Sequence, residues 1–202
     1  MFTRGFKGKG QKATESGRVP PGQYVTDDFP VLSAGPTPRS ALGAWSFSLV
    51  GTDGRELLRR SWDELLALPA TELTVDIHCV TKWSKLGTRW KGVSFDALLG
   101  AAGIEPPAPY VMAFCDGGYT TNLPVADLRG DKALIAYGYD GAPLVAEHGG
   151  PARLLVPHLY FWKSAKWVRG LRFMDDNRPG FWEERGYHSY GDPWKEQRYD
   201  GD

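Results

Sequence analysis

Two groups of residues in this chain have types and spacings that could do chemistry. The first is a single thiol, Cys79, within the stretch from Thr74 to Trp90. A thiolate there would serve as a soft metal ligand or as a nucleophile. The second is a run of cations, Arg153, Lys163, Lys166, Arg169 and Arg172, interleaved with His158, Tyr160, Phe161, Trp162 and Trp167. Inside it, Lys163-Ser164-Ala165-Lys166 joins two ammonium groups to a hydroxyl and free backbone amides, a combination suited to phosphate or pyrophosphate. Plainer readings compete with both. Cysteine is among the most buried residue types, so the strand pattern by itself favours Cys79 as a core residue. Charge runs usually face water.

The elements that must position these groups are legible as patterns. Leu73, Val75, Ile77 and Cys79 alternate with Thr74, Asp76, His78 and Val80, the period of a half-buried strand. Cys79 ends its apolar face, and the polar, cationic and aromatic residues beyond it lack helical periodicity. The thiol is therefore predicted where a strand gives way to a loop, a position where functional residues concentrate. Trp45, Phe47 and Leu49 alternate with serines before the turn pair Asp53-Gly54, which predicts a hairpin. Ser61 and Glu64 have capping-box spacing for a helix over 62–68. Ser94 can cap a second helix through Phe95, Leu98 and Leu99, ended by Gly100 or Gly103. Further strands are predicted over 110–115, 133–137, 152–156 and 166–173, the first closing on the turn Asp116-Gly117-Gly118. Strands outnumber the brief helices and nothing repeats, so the fold class is α+β with a mixed, mostly antiparallel sheet.

Composition narrows the function classes. The 202 residues suit one domain with an arm. Residues 1–18 carry Arg4, Lys7, Lys9, Lys12 and Arg18 against Glu15 and read as a flexible basic arm; 19–202 read as a single domain. Prolines at 20, 21, 30, 36 and 38 forbid a helix, so 19–38 is predicted to wrap the domain as extended chain, pinned by Phe29, Val31 and Leu32. The aromatic tail over 181–199 is predicted to lie on the domain surface. Lys plus Arg number 24 and Asp plus Glu 24, which leaves no field to recruit nucleic acid or an anionic membrane. No apolar run approaches the roughly 18 to 20 residues of a membrane span. Two distant cysteines and no apolar leader point to the cytoplasm. C-x-x-C, H-E-x-x-H, Walker A, G-x-G-x-x-G on a strand-helix unit and G-x-S-x-G are absent, so no metal site or nucleotide cradle is readable from spacing.

Five blocks, taken in order, go further. They are Cys79-Val80-Thr81-Lys82-Trp83-Ser84; Trp90 to Leu99; Asp116-Gly117-Gly118-Tyr119; His148-Gly149-Gly150-Pro151-Ala152-Arg153; and Lys163-Ser164-Ala165-Lys166-Trp167. Together they resemble the molybdopterin-binding domain of the sulfite oxidase family over about residues 40–175. The ends, including Val19-Pro20-Pro21-Gly22-Gln23 and the stretch from Gly180 to Trp194, are similar to the small bacterial sulfite oxidase-like oxidoreductases. The resemblance implies that family's domain fold and a molybdenum-molybdopterin cofactor. It implies Cys79 as the thiolate on molybdenum, His148 and Arg153 as pterin contacts, and Asp116 as a further contact. Lys163, Ser164, Ala165 and Lys166 would wrap the cofactor phosphate, and Lys82, Trp83, Arg89 and Tyr119 would form the substrate mouth, Arg89 and Tyr119 acting in catalysis. The implied activity is two-electron oxygen-atom transfer on a small-molecule substrate, with electrons exchanged through a separate electron-transfer partner. Where the family has an arginine-rich sulfite pocket, Trp83 intrudes among Lys82, Lys85 and Arg89, which points away from sulfite. The family's periplasmic methionine sulfoxide reductases have asparagine at the position of His148. Two other classes stay open: a cysteine nucleophile, Cys79 or Cys115, with His148 or His158 as base, and a non-catalytic pterin-binding protein.

Overall fold

The computed structural model describes residues 17–202. Most of the expected basic arm lies outside the described residues. Its last residue, Arg18, is tied down: its Nε donates to Asp76 Oδ2 at 2.8 Å.

In chain order the strands are β1 (Tyr24–Val25), β2 (Ser46–Val50), β3 (Glu56–Ser61), β4 (Ala70–His78), β5 (Trp83–Ser94) and β6 (Tyr110–Cys115). There follow β7 (Thr120–Pro124), β8 (Leu134–Tyr139), β9 (Ala142–Pro143), β10 (Arg153–Leu155) and β11 (Val168–Met174). The helices are α1 (Trp62–Leu66) and α2 (Phe95–Ala102). One sheet is built around β5, with β4 on one edge, β1 and β8 on the other, then β10 and β9 against β8. The second runs β3-β2-β11-β6-β7. Among the described residues only the β1–β5 and β2–β11 pairings are parallel. The expected mixed, mostly antiparallel α+β architecture is what forms. Trp45, Phe47, Leu49, Val111 and Leu171 of the second sheet pack with Val93, Ile135 and Leu154 of the first, and α2 adds Leu98. A smaller cluster on the other side of the first sheet holds Ile77, Cys79, Trp83, Trp90 and Phe161.

Local chemistry explains the boundaries and the departures. The capping box forms as read: Ser61 Oγ accepts from Glu64 N, and Glu64 Oε2 accepts from Ser61 N at 2.8 Å. α1 stops at Leu66 instead of Leu68, because Pro69 pushes the residue before it out of the helical region. α2 runs on to Gly103, whose φ of 66° only glycine adopts without strain. The segment after Cys79 is not the expected long loop. Val80 to Lys82 make a tight reversal in which Cys79 N donates to Trp83 O at 2.8 Å and Lys82 N to Cys79 O at 2.9 Å, and twelve residues of β5 follow. Pairing along β4 and burial of Trp83, Trp90 and Val93 impose a strand on a sequence whose own alternation is poor. The last strand begins at Val168 instead of 166, since Trp167 takes a φ of 55° and interrupts the extended chain; this leaves Lys166 off the sheet. Of the expected anchors for the N-terminal wrap only Phe29 serves; Val31 and Leu32 are 54% and 45% exposed.

The C-terminal segment is fastened by a buried ion pair. Lys163 Nζ lies 2.6 Å from Glu183 Oε1, with side chains 0% and 2% exposed. Thr121 Oγ1 and Trp162 Nε1 also donate to that carboxylate oxygen, at 2.9 and 3.0 Å. Lys163 further donates to Asn122 and to the Ser189 carbonyl. Removing one partner of such a pair strands the other charge in the interior. Lys163→Met is therefore expected to lower unfolding free energy by about 3–5 kcal/mol, with the double variant Lys163→Met/Glu183→Gln recovering much of it; denaturant titration of the three proteins checks this.

Candidate active site

Both sheets and both extended ends converge on one cavity of about 680 Å3. Cys79 reaches it from the end of β4. The thiol is 8% exposed, and Sγ accepts from Thr81 Oγ1 at 3.1 Å. Burial pushes the thiol pKa up, opposed by Thr81 and by the charge of Arg198. A protonated, poorly hydrated thiol is a weak nucleophile, but a metal cation displaces its proton and takes the soft sulfur.

The opposite wall comes from β10 and the turns that flank it. Arg153, 1% exposed, donates Nη1 to His148 O at 2.8 Å and Nη2 to Ser164 O, and its guanidinium lies 4.0 Å over the Phe161 ring. Burial lowers its pKa to about 9. His148 stacks on Phe29 with centroids 3.8 Å apart and planes 5° from parallel. Burial, then the cations Lys166 and Arg153, depress its pKa to about 4, so the ring is neutral at ordinary pH. The same causes, burial and Arg153, lower Lys166 to about 8. Ser164 Oγ accepts from Val156 N at 2.8 Å, which fixes the turn carrying Ala165 and Lys166 along the cavity.

Of the other residues singled out from the sequence, Trp83, Asp116 and Tyr119 also line the cavity. Asp116 accepts from Ser40 Oγ at 3.0 Å and sits 3.5 Å from Arg169 Nε. Tyr119 donates its hydroxyl to Trp162 O at 2.7 Å. Four residues do not line the cavity, His148, which stacks on the lining residue Phe29, being the first. Lys82 is exposed in the reversal after Cys79 with a φ of 76°. Arg89 pairs with Asp140 at 2.6 Å on the outer surface. Lys163 faces Glu183 in the interior instead of the cavity. Sequence reasoning missed Thr81, Phe161, Trp182 and Tyr187, all on the cavity wall. Tyr187 makes no side-chain hydrogen bond among the described residues, and its pKa is raised by burial and then by Tyr199 and Cys79. The only signal for it was the aromatic density of the tail.

Comparison with known proteins follows this geometry. Residues 34–182 match the family described as oxidoreductase molybdopterin binding domain. The chain belongs to this family. It is 45% identical over 198 residues to the oxidoreductase YuiH of Bacillus subtilis, covering 98% of this chain and all of that one. It is 32% identical over 135 residues to a putative protein-methionine-sulfoxide reductase subunit, YedZ1, of Azospira oryzae, across 66% of this chain and 51% of that protein. Human mitochondrial sulfite oxidase is 24% identical over 206 residues, and the chain spans only 38% of it. The sulfane dehydrogenase SoxCD of Paracoccus pantotrophus superposes with a TM-score of 0.60 at 23% identity, over 69% of this chain and 40% of that one, which shows the shared fold.

The oxidoreductase molybdopterin-binding family uses the molybdenum cofactor, and the residues present fit it. Arg153 Nε, His148 Nδ1 and Trp83 Nε1 are buried without a hydrogen-bond partner among the described residues. Such orphans are rare unless something polar meets them. No three His, Cys, Asp or Glu side chains among the described residues converge so as to hold a metal ion. No helix among the described residues is long and apolar enough to cross a membrane.

The depressed histidines make apoprotein stability pH-dependent. His148 and His78 titrate at about 4 in the fold against an ordinary 6.5, chiefly through burial, so the unfolded chain binds protons first as pH falls. Stability present above pH 6.5 should decline toward pH 4. Denaturant titrations across that window should show a shallower decline in His148→Gln.

Proposed function

We propose that this member of the family is a mononuclear molybdenum oxidoreductase that transfers an oxygen atom to or from a small substrate, with Cys79 Sγ as the protein ligand. One observation carries the reading: a lone buried thiol opens into a cavity whose wall also holds Arg153, its Nε buried without a partner, and the Ser164-Ala165-Lys166 turn. When bound, the cofactor supplies two-electron redox chemistry at the metal. The chain's part is to bind, orient and exclude water.

His148, neutral above about pH 4, presents Nδ1 without a charge, while Arg153 brings Nε and a positive field. The backbone over Ser164 and Ala165, with the Lys166 ammonium, suits the cofactor's phosphate. Asp116, held by Ser40 and Arg169, closes that side. Lys163 supports from behind: through Glu183 it fixes Trp162, whose carbonyl in turn holds Tyr119. Tyr119 is thereby a fixed wall, and Tyr187 is the phenol free to hold or deliver a proton at Oη. The rings of Trp83, Phe161 and Trp182 keep bulk water out, which strengthens every charge interaction inside. Lys82 and Arg89 are left outside this assignment by their positions. A separate one-electron carrier exchanges electrons with the site.

The cysteine-nucleophile alternative loses its chemical basis. Burial raises both thiols, Cys115 with help from Asp116, and Cys79 is hydrogen-bonded by a hydroxyl and not by an imidazole. His158 is engaged elsewhere, with Asp127 at 3.1 Å.

Elemental analysis of protein from a host that makes the cofactor should find near-stoichiometric molybdenum in the wild type, and Cys79→Ala should lose turnover. Full turnover in Cys79→Ala would sink the assignment. Tyr187→Phe should keep its molybdenum and lose about 10²-fold in kcat, the lower end for a positioned proton donor.

A further inference from the structure

We infer that the substrate is a neutral oxide whose oxygen-bearing nitrogen or sulfur belongs to, or is attached to, an aromatic ring. This rests on the Cys79 assignment above and deepens it. The first ground is charge. Among the described residues, the cations that line the cavity, Arg153 and Lys166, are the two assigned above to the cofactor. Arg153 has both Nη atoms on the carbonyls of His148 and Ser164, and Lys166 donates to Glu147 O. On the Cys79 side no cation lines the cavity: Lys82 lies outside it, Arg89 is paired with Asp140, and Arg198, whose charge reaches the thiol, is held behind the wall by the Val80 and Pro21 carbonyls and Glu196. An anionic substrate would have to shed its hydration without a counter-charge, which is costly.

The second ground is the wall itself. Phe181, Trp182, Tyr187 and Trp162 form one contiguous aromatic surface. Centroids lie 5.1 Å apart for Phe181 and Trp182, 4.9 Å for Trp182 and Tyr187, and 5.2 Å for Tyr187 and Trp162. Phe181 and Trp182 are only half-buried, so ring surface is left open where they line the cavity. The strap containing Pro30, Pro36 and Pro38, stiff and uncharged, lines the same cavity. This wall is separate from the Phe29, His148, Phe161 and Arg153 group assigned to the cofactor. A flat ring fits such a slot by offset or edge-to-face contact, and Tyr187 Oη supplies the one hydrogen bond that a neutral oxide oxygen requires. In the reductive direction the N–O or S–O bond breaks, the heteroatom keeps the lone pair, and the oxygen leaves as water. Two electrons come from the one-electron carrier and two protons from solvent by way of Tyr187.

The test uses molybdenum-loaded enzyme of measured metal content with a dye electron donor. Isoquinoline N-oxide and methyl phenyl sulfoxide are compared with trimethylamine N-oxide, dimethyl sulfoxide, methionine sulfoxide, nitrate and, in the oxidative direction, sulfite. The aryl oxides should lead in kcat/KM by about tenfold or more, the ratio one well-placed ring contact sustains. Calorimetry on the oxidised enzyme without donor should show isoquinoline N-oxide binding about tenfold tighter than trimethylamine N-oxide. Trp182→Leu should shrink both ratios; if it does not fold, Trp182→Phe, with a smaller ring, should shrink them in part. Loaded enzyme that prefers an alkyl oxide, methionine sulfoxide or an anion overturns this inference and leaves the Cys79 reading standing. Wild type free of molybdenum, from a host that loads a control enzyme, overturns both.

Discussion

Within the reversal after Cys79 only the Cys79 carbonyl finds a donor in the turn, Lys82 N, and the ends of the chain supply the rest and a second donor to Cys79. Gln23 Nε2 donates to Cys79 O at 3.1 Å, Tyr24 N to Lys82 O at 2.9 Å, and Arg198 Nη1 to Val80 O at 3.2 Å. Each buried carbonyl left unpaired would cost on the order of 1–3 kcal/mol. The donors come from both extended ends of the chain, which explains why so much irregular backbone wraps a sheet protein. The thiol is thus held by residues 56 before it and 118 after the neighbouring carbonyl. A thiol placed this way has little freedom to swing.

The second constraint is the management of buried cations. Arg153 is taken out of water almost completely, and two carbonyls together with the face of Phe161 replace its hydration. This joins the turn at His148 to the turn at Ser164 through one side chain. Lys163 solves the same problem by pairing with Glu183, and in doing so carries the C-terminal segment, with Trp182 and Tyr187, onto the cavity wall. The two cations are ten residues apart in a run that reads as one charged stretch. They do different work because their partners differ.

Much of the fold was legible from pattern. The hairpin at Asp53-Gly54, the capping box at Ser61 and Glu64, the Ser94 cap and the strand ending at Cys115 depend on neighbours a few residues away, and they form as read. The misreadings have a common cause. β5 is a strand because β4 pairs along it, and Val31 and Leu32 stay exposed because the strap is held through Phe29. Of the site, the thiol and the wall from Arg153 to Lys166 were found through the ordered blocks. Tyr187 was not, since nothing in its local sequence distinguishes a phenol facing the cavity from one lying on the surface.

The sequence by itself determined where several strands and caps fall and which family the chain joins, and it singled out one thiol and one cationic run; these rest on residue type and short-range spacing. Only the tertiary structure decided which of those cations face the cavity. Whether a charge is free or spent depends on partners well outside its local sequence, Asp140 for Arg89 and Glu183 for Lys163, and on how much water the packed sheets leave around it.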